Sequence, residues 1–290
     1  MTSRTMRAGA RLAALLAALP TAGCGPKLLN ALVPDDGYRV EHGVAYGDLP
    51  RQRLDVYVPD ELTGPAPIVV FFYGGGWESG SKGEFRFVGQ ALAARGFVTV
   101  IPDYRVYPEV RFPTFVEDGA AAVAWVRRNI GRFRGEPRQI HLMGHSAGAH
   151  IAALLALDQR YLAAAGIEPG TPESLVGLAG PYDFLPLTGA TLKRIFAVDD
   201  MAETQPITFA DRSAPPALLL HGENDGTVRP ANSEHLAAAL AAAGNRVELK
   251  LYPNLDHVAV VAALAAPLRW LAPVLDDVTA FLRATPPPAF

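Results

Sequence analysis

Between the apolar run Gln139–Gly144 and the Ala/Leu-rich run that starts at Ala149, the chain reads Gly144-His145-Ser146-Ala147-Gly148. An apolar strand that passes at once into a helix-forming sequence has room only for a very sharp turn. Bulky side chains at 144 or 148 would collide there, so both positions are glycine. Such a turn strains the residue at its centre and lifts that side chain, here Ser146, clear of the sheet beside a helix N-terminus.

The rest of the chain repeats the same alternation. Arg53–Pro59 alternates polar and apolar residues with a period of two, as a half-buried strand does. Pro67–Tyr73 is continuously apolar, as expected of a strand covered on both faces of a parallel sheet. Phe97–Pro102, Gln139–Gly144, Ala217–Gly222 and Val247–Pro253 read in the same way. Helical patterns fall between them at Phe87–Gly96, Phe115–Gly131, Ser233–Gly244 and Leu268–Leu282. The expected fold is therefore α/β, a mostly parallel central sheet with helices on both faces. One domain is expected over 38–284, with a mixed stretch at 184–212 forming a lid over one end of the sheet and a Pro-rich tail at 285–290.

The first residues are different. Arg4, Arg7 and Arg11 precede an apolar run, Leu12–Leu19, and the small residues Thr21-Ala22-Gly23 come after it. That order is the charge, apolar core and cleavage site of a secretory signal over 1–23. Cys24 is the one cysteine of the chain, so no internal disulfide can form. Its place after Ala22-Gly23 resembles the lipobox of bacterial lipoproteins, although Thr21 stands where Leu, Val or Ile is usual. The expectation is export, lipid attachment at Cys24 and a tether over 24–37 that holds the protein to a bacterial membrane; an ordinary secretory signal is the alternative. The formal net charge of −3 and the lack of a basic run argue against nucleic acid as a partner.

Ser146 attacking a carbonyl would create an oxyanion, which needs donors already in position. One is expected from the N–H of Ala147, the residue after the serine, and another from the loop after the third strand. Tyr73-Gly74-Gly75-Gly76-Trp77 continues from Pro67–Tyr73 at that place, which makes Gly74 and Gly75 the candidate donors.

With these motifs the chain resembles the α/β-hydrolase carboxylesterases that carry a His-Gly-Gly-Gly type loop. These include feruloyl/acetyl esterase-like proteins and kynurenine formamidases. The segments YGGGWESGSK, PDYRVYPEVRFPTFVEDGAAAVAWVRRNI and IHLMGHSAGAHIAALLA also resemble the prenylcysteine methylesterases. Tyr73 stands where that family usually has the histidine that braces the glycine loop. The resemblance implies that Asp225, in HGENDGTV, is the acid, with Glu223 a weaker candidate. It also implies that His257, in YPNLDHV, is the base. Asp103-Tyr104-Arg105 recurs in the family as a structural element beside the loop. Tyr73, Trp77 and Tyr182 are possible pocket residues. The activity implied by this resemblance is that of a serine hydrolase for small-molecule carboxylic esters, working through an acyl-enzyme with no metal or other cofactor. An amidase or formamidase, or a non-catalytic anchored binding protein, are the other readings.

Overall fold

The computed structural model describes residues 29–285. The signal-like segment, Cys24, the tether up to residue 28 and residues 286–290 of the tail lie outside the described residues.

Eight strands form one sheet: β1 (Tyr38–Ala45), β2 (Arg53–Pro59), β3 (Ala66–Phe72), β4 (Val98–Pro102), β5 (Gly135–His145), β6 (Ser174–Leu178), β7 (Ala217–Gly222) and β8 (Val247–Tyr252). Their order across the sheet is β1-β2-β4-β3-β5-β6-β7-β8. The β1–β2 and β2–β4 pairs are antiparallel and the rest are parallel. The register puts Phe72 of β3 beside Gly144 of β5, and His145 beside Leu178 of β6. The ends of three central strands therefore meet at Ser146.

The helices are α1 (Arg86–Ala93), α2 (Thr114–Asn129), α3 (Ala147–Leu157), α4 (Gln159–Ala164), α5 (Ala190–Ile195), α6 (Ala231–Ala242), α7 (Ala259–Ala262) and α8 (Val274–Ala284). Every residue of α3 is buried. That is the expected fate of a helix whose one polar side chain is His150 and which is otherwise apolar on all sides. Ile68, Val69, Val70, Phe71 and Phe72 of β3 are fully buried, so side chains on both faces of that strand are covered. Among the described residues, no helix is long and apolar enough to cross a membrane.

The structure departs from the pattern reading in three informative places. Arg53–Pro59 is buried almost throughout rather than on one face. The reason is Asp55, whose carboxylate accepts from Lys82 Nζ (2.9 Å), the Gly43 N–H (2.8 Å) and His42 Nδ1 (2.8 Å). Partners from β1 and the loop before α1 thus cover the polar side. The segment Leu268–Leu282 is helical only from Val274, because Pro273 cannot continue a helix from its N-terminal side. β1 is a polar edge strand with a bulge between Glu41 and Val44, and it carries no clean alternation to read.

Between β6 and β7, residues 184–212 contain α5 and two short 3₁₀ turns, Met201–Thr204 and Pro206–Phe209. The segment is tied to the body. His150 Nε2 donates to Thr204 O (2.8 Å), Phe112 N–H to Ile195 O (3.0 Å) and Ile207 N–H to Tyr182 O (3.1 Å).

His150 is fully buried and His141 nearly so, the latter sharing a 2.8 Å bond with Ser174 Oγ. Burial pushes each imidazole down from 6.5 to about 4. Both stay neutral in the folded protein at a pH where the unfolded chain would be protonated. Their stabilising contribution is therefore complete above about pH 6.5 and is lost as pH falls towards 4, at about 1.4 kcal/mol per pH unit for each histidine. Urea unfolding at pH 7 and pH 4.5 should give a much lower free energy at the acid pH; equal values would contradict this assignment.

Candidate active site

Ser146 lies between the last residue of β5 and the first of α3, with φ 55° and ψ −125°. A non-glycine residue there is strained by roughly 1–3 kcal/mol and persists only where its surroundings over-determine it. The surroundings are explicit. A Cβ on Gly144 would run into the Gly148 backbone, and one on Gly148 into the carbonyls of Phe72 and Tyr73. The first turn of α3 is thus pressed against the end of β3, and the Ser146 N–H donates to Leu178 O (2.9 Å) on the other side.

The glycine loop lies directly against the serine. A Cβ on Gly74 would stand 3.0 Å from Ser146 Cβ and 2.9 Å from His145 Nδ1. Gly75 has φ 146°, and its carbonyl accepts from Ser79 N–H and Ser79 Oγ (both 3.1 Å), so its peptide is held by the far side of the loop. Ala147 is the first residue of α3, and its N–H has no carbonyl one turn earlier to bond. Ala147 and Gly74 therefore flank Ser146 from two elements, with Gly75 next along the loop.

Tyr73 holds the loop from below. Its phenol donates to Asp103 Oδ1 (2.8 Å) and accepts from Arg51 Nη2 (3.0 Å). The same Asp103 oxygen accepts the Lys82 N–H (2.7 Å), and the Tyr104 hydroxyl donates to Tyr73 O (2.6 Å). The Tyr73 ring stacks on Tyr104 and Phe85, with centroids 4.7 and 5.5 Å away. Burial, with Tyr104 and Asp103 nearby, pushes the phenol well above the usual tyrosine range, so it remains a donor. Arg105 completes this layer with a two-pronged bond to Asp118 (2.9 and 2.8 Å).

His257, in the loop between β8 and α7, meets the serine. The Ser146 hydroxyl donates to His257 Nε2 (2.8 Å), because Nδ1–H is given to Asp225 Oδ2 (2.7 Å). Asp225, in the turn after β7, also accepts the Thr227 and Val228 N–H groups on Oδ1, both at 2.8 Å. Burial raises the pKa of this carboxyl, but the hydrogen bonds from His257 and Val228 outweigh it and hold the value below the usual aspartate range. Asp225 is only 5% exposed, whereas Glu223 is on the surface.

Two histidines outside the sequence motifs' assigned roles belong to this site. His145 Nε2 donates to the carbonyl of His257 (2.9 Å), and the two rings lie 4.9 Å apart. Burial, with His257 close by, pushes His145 down to about 3, so it stays neutral beside His257. His221 touches Asp225 from within the sheet, at 3.1 Å. Neither has a local signal, since His145 bonds to a residue 112 positions away and His221 is simply the polar end of an apolar strand.

The three pocket candidates prove to be enclosed. Tyr73 and Tyr182 are fully buried and Trp77 is 5% exposed. Trp77 packs edge-on against Phe196 (4.8 Å) and His150 (5.2 Å) and stacks near Phe184 (6.0 Å), which binds the 184–212 segment to the glycine loop. Tyr182 lies over Gly177 and Gly180, where a Cβ would strike its ring. Among the described residues, no group of three His, Cys, Asp or Glu side chains is placed to hold a metal ion.

The chain has relatives among known proteins. The model of the BD-FAE family matches residues 54–240, more than half of the chain, which therefore belongs to that family. A probable isoprenylcysteine alpha-carbonyl methylesterase of Oryza sativa subsp. japonica is 34% identical over 242 residues, covering 76% of this chain and 57% of the relative. The chain spans 57–62% of the length of three such curated methylesterases. Among solved structures, an inhibited esterase B of Lactobacillus rhamnosis has a TM-score of 0.78 at 22% identity, covering 95% of this chain and 96% of that one. Esterase 2 of Thermogutta terrifontis, phosphoramylated by tabun, has a TM-score of 0.70 at 25% identity, covering 86% and 96%. The fold is that of the α/β-hydrolase esterases.

The tight contact at Gly148 has a measurable consequence. Gly148→Ala should destabilise the protein by about 3 kcal/mol or more, because the clash is with backbone that cannot move without parting the strands. Gly64→Ala, at a position with open space around it, should change stability by no more than about 1 kcal/mol. Urea unfolding of the two variants distinguishes these outcomes.

Proposed function

We propose that this member of the BD-FAE family is a serine hydrolase that cleaves carboxylic esters through an acyl-enzyme. The observation that carries the reading is the continuous Ser146–His257–Asp225 hydrogen-bond chain, 2.8 and 2.7 Å, with the serine on a strained turn at a helix N-terminus. The relatives named above are all esterases. That of Thermogutta is phosphoramylated by tabun, the kind of electrophile that an activated serine takes up.

Each step rests on this geometry. Ser146 Oγ attacks the ester carbonyl carbon while its proton passes to His257 Nε2. Asp225 keeps His257 in the tautomer with its proton on Nδ1, and its charge stabilises the imidazolium that forms. The carbonyl oxygen, now negative, is received by the Ala147 N–H and by the N–H of Gly75 or Gly74. Collapse of this intermediate expels the alcohol, which takes the proton from His257. Water then gives a proton to His257, attacks the acyl-serine and releases the acid, and Ser146 recovers its proton. The neutral state of His145 matters here, since a second imidazolium 4.9 Å away would oppose protonation of His257.

We also propose that the chain is exported and held to a membrane by lipid on Cys24, from the signal-like order of residues 1–24. Full-length protein expressed in a bacterium should take up labelled fatty acid, and Cys24→Ser should abolish the label and release the protein from the membrane fraction. Absence of label on the unaltered chain would leave an ordinary secretory signal.

Hydrolysis of short p-nitrophenyl esters tests the main reading, with an aryl formamide beside them to detect amidase activity. Ser146→Ala and His257→Ala should each lower kcat by about 10³-fold or more, and the double variant little further, because the residues act as a unit. Full activity in Ser146→Ala would overturn the reading. Tyr73→Phe should lower kcat with little change in KM, since it removes the phenol bond to Asp103 while the stacked ring stays. An unchanged kcat would assign the brace to the ring alone.

A further inference from the structure

His221 is fully buried at the end of β7, and the mechanism above makes no use of it. Its Nε2 faces two oxygens, Asp225 Oδ2 (3.1 Å) and Val228 O (2.9 Å). A lone pair cannot face both, so Nε2 carries the proton. Its Nδ1 lies 2.7 Å from Ser233 Oγ, which therefore donates to it. Ser233 is also fully buried. Five side chains are thereby joined in one line: Ser233, His221, Asp225, His257 and Ser146.

We infer that His221 is a positioning residue for the proposed hydrolysis, a neutral donor that fixes the Asp225 carboxylate on the axis of His257 and is itself held in one tautomer by Ser233. This rests on the Ser146–His257–Asp225 reading. The chemistry of the group argues for it. Asp225 Oδ2 is the oxygen that serves His257, and Oδ1 is already held by two backbone N–H groups. A carboxylate pinned at one oxygen can still swing the other, and His221 closes that freedom. A lysine or arginine in its place would hold the carboxylate equally well but cancel the charge that stabilises the His257 imidazolium. An imidazole kept neutral supplies the hydrogen bond without the charge. Burial pushes His221 below its ordinary value despite the bonds to Val228 and Asp225, in keeping with that state. Of the other histidines on this side of the site, His145 lies 4.9 Å from the His257 ring and His221 touches Asp225, and burial pushes both below their ordinary value.

The test uses the full-length protein and three variants. His221→Gln keeps an N–H at about the reach of Nε2, His221→Leu keeps bulk and removes the donor, and Ser233→Ala removes the lock. Loss of a hydrogen bond to a charged acceptor predicts that His221→Leu lowers kcat on a p-nitrophenyl ester by about ten- to a hundredfold at unchanged KM. The kcat is counted per serine titrated with a phosphonate. His221→Gln should recover most of that loss, and Ser233→Ala should fall between the two. The low-field proton resonance of the His257–Asp225 bond should move in His221→Leu and not in His221→Gln. A folded His221→Leu with unaltered kcat per titrated serine and an unmoved resonance would overturn the inference. So would losses in all three variants that merely track the titratable fraction, which would make His221 a folding residue. If Ser146→Ala retains activity, the hydrolase reading itself fails, and the resonance still decides whether His221 positions the carboxylate.

Discussion

The contact on which the rest of the site depends is that between Gly148 and the end of β3. Because no Cβ intervenes, the first turn of α3 lies on the carbonyls of Phe72 and Tyr73. That contact holds Ser146 at a positive φ and brings Gly74 within van der Waals distance of it. One close approach of two backbones therefore sets Ser146, the helix N–H beside it and the glycine loop at the same time. The strain at Ser146 is small compared with the burial of α3, whose eleven residues are all removed from water.

Around this contact the polar groups obey one rule. Each carboxylate taken out of water is met by several donors. Asp225 has two backbone N–H groups and two imidazoles, Asp118 has Arg105 and Gln52, and Asp55 has Lys82, Gly43 and His42. Asp103 works in the same way below the loop, where Tyr73 takes the bracing part that the related esterase motif gives to histidine. The substitution is chemically reasonable because a phenol can donate to Asp103 and accept from Arg51 at once, while its ring fills the space between Tyr104 and Phe85. The buried histidines 141, 145, 150 and 221 all sit below their ordinary pKa, so each serves as a neutral bridge between elements and adds no charge to the interior.

The segment at 184–212 closes over this end of the sheet chiefly through aromatic packing. Phe184 and Phe196 meet Trp77, the residue that ends the glycine loop, and His150 ties the same segment to α3. The cover and the glycine loop beside Ser146 thus share one cluster.

Local sequence was enough to define much of this protein. Apolar runs, continuous in β3 and broken only by Thr99 in β4 and His221 in β7, determined these strands, since a strand covered on both faces leaves little room for polar side chains. Gly144 and Gly148 around Ser146 marked the strand–helix turn, and three glycines after β3 marked the loop, because each demands a backbone path closed to other residues. The resemblance to known esterases pointed to Asp225 and His257, whose side chains the fold then brings into one hydrogen-bonded line. Tertiary structure alone decided what has no local pattern. β1 is polar because it is an edge, Asp55 is buried because β1 and Lys82 cover it, and Trp77 and Tyr182 are enclosed because other elements pack over them. His145 acquires its place only when the end of β5 and the loop after β8, 112 residues apart, converge, whereas His221 meets Asp225, Val228 and Ser233 within twelve residues of itself but joins Ser146 only through His257. Hydrogen bonds of that kind depend on where two elements end in space, a quantity that periodicity and composition do not contain.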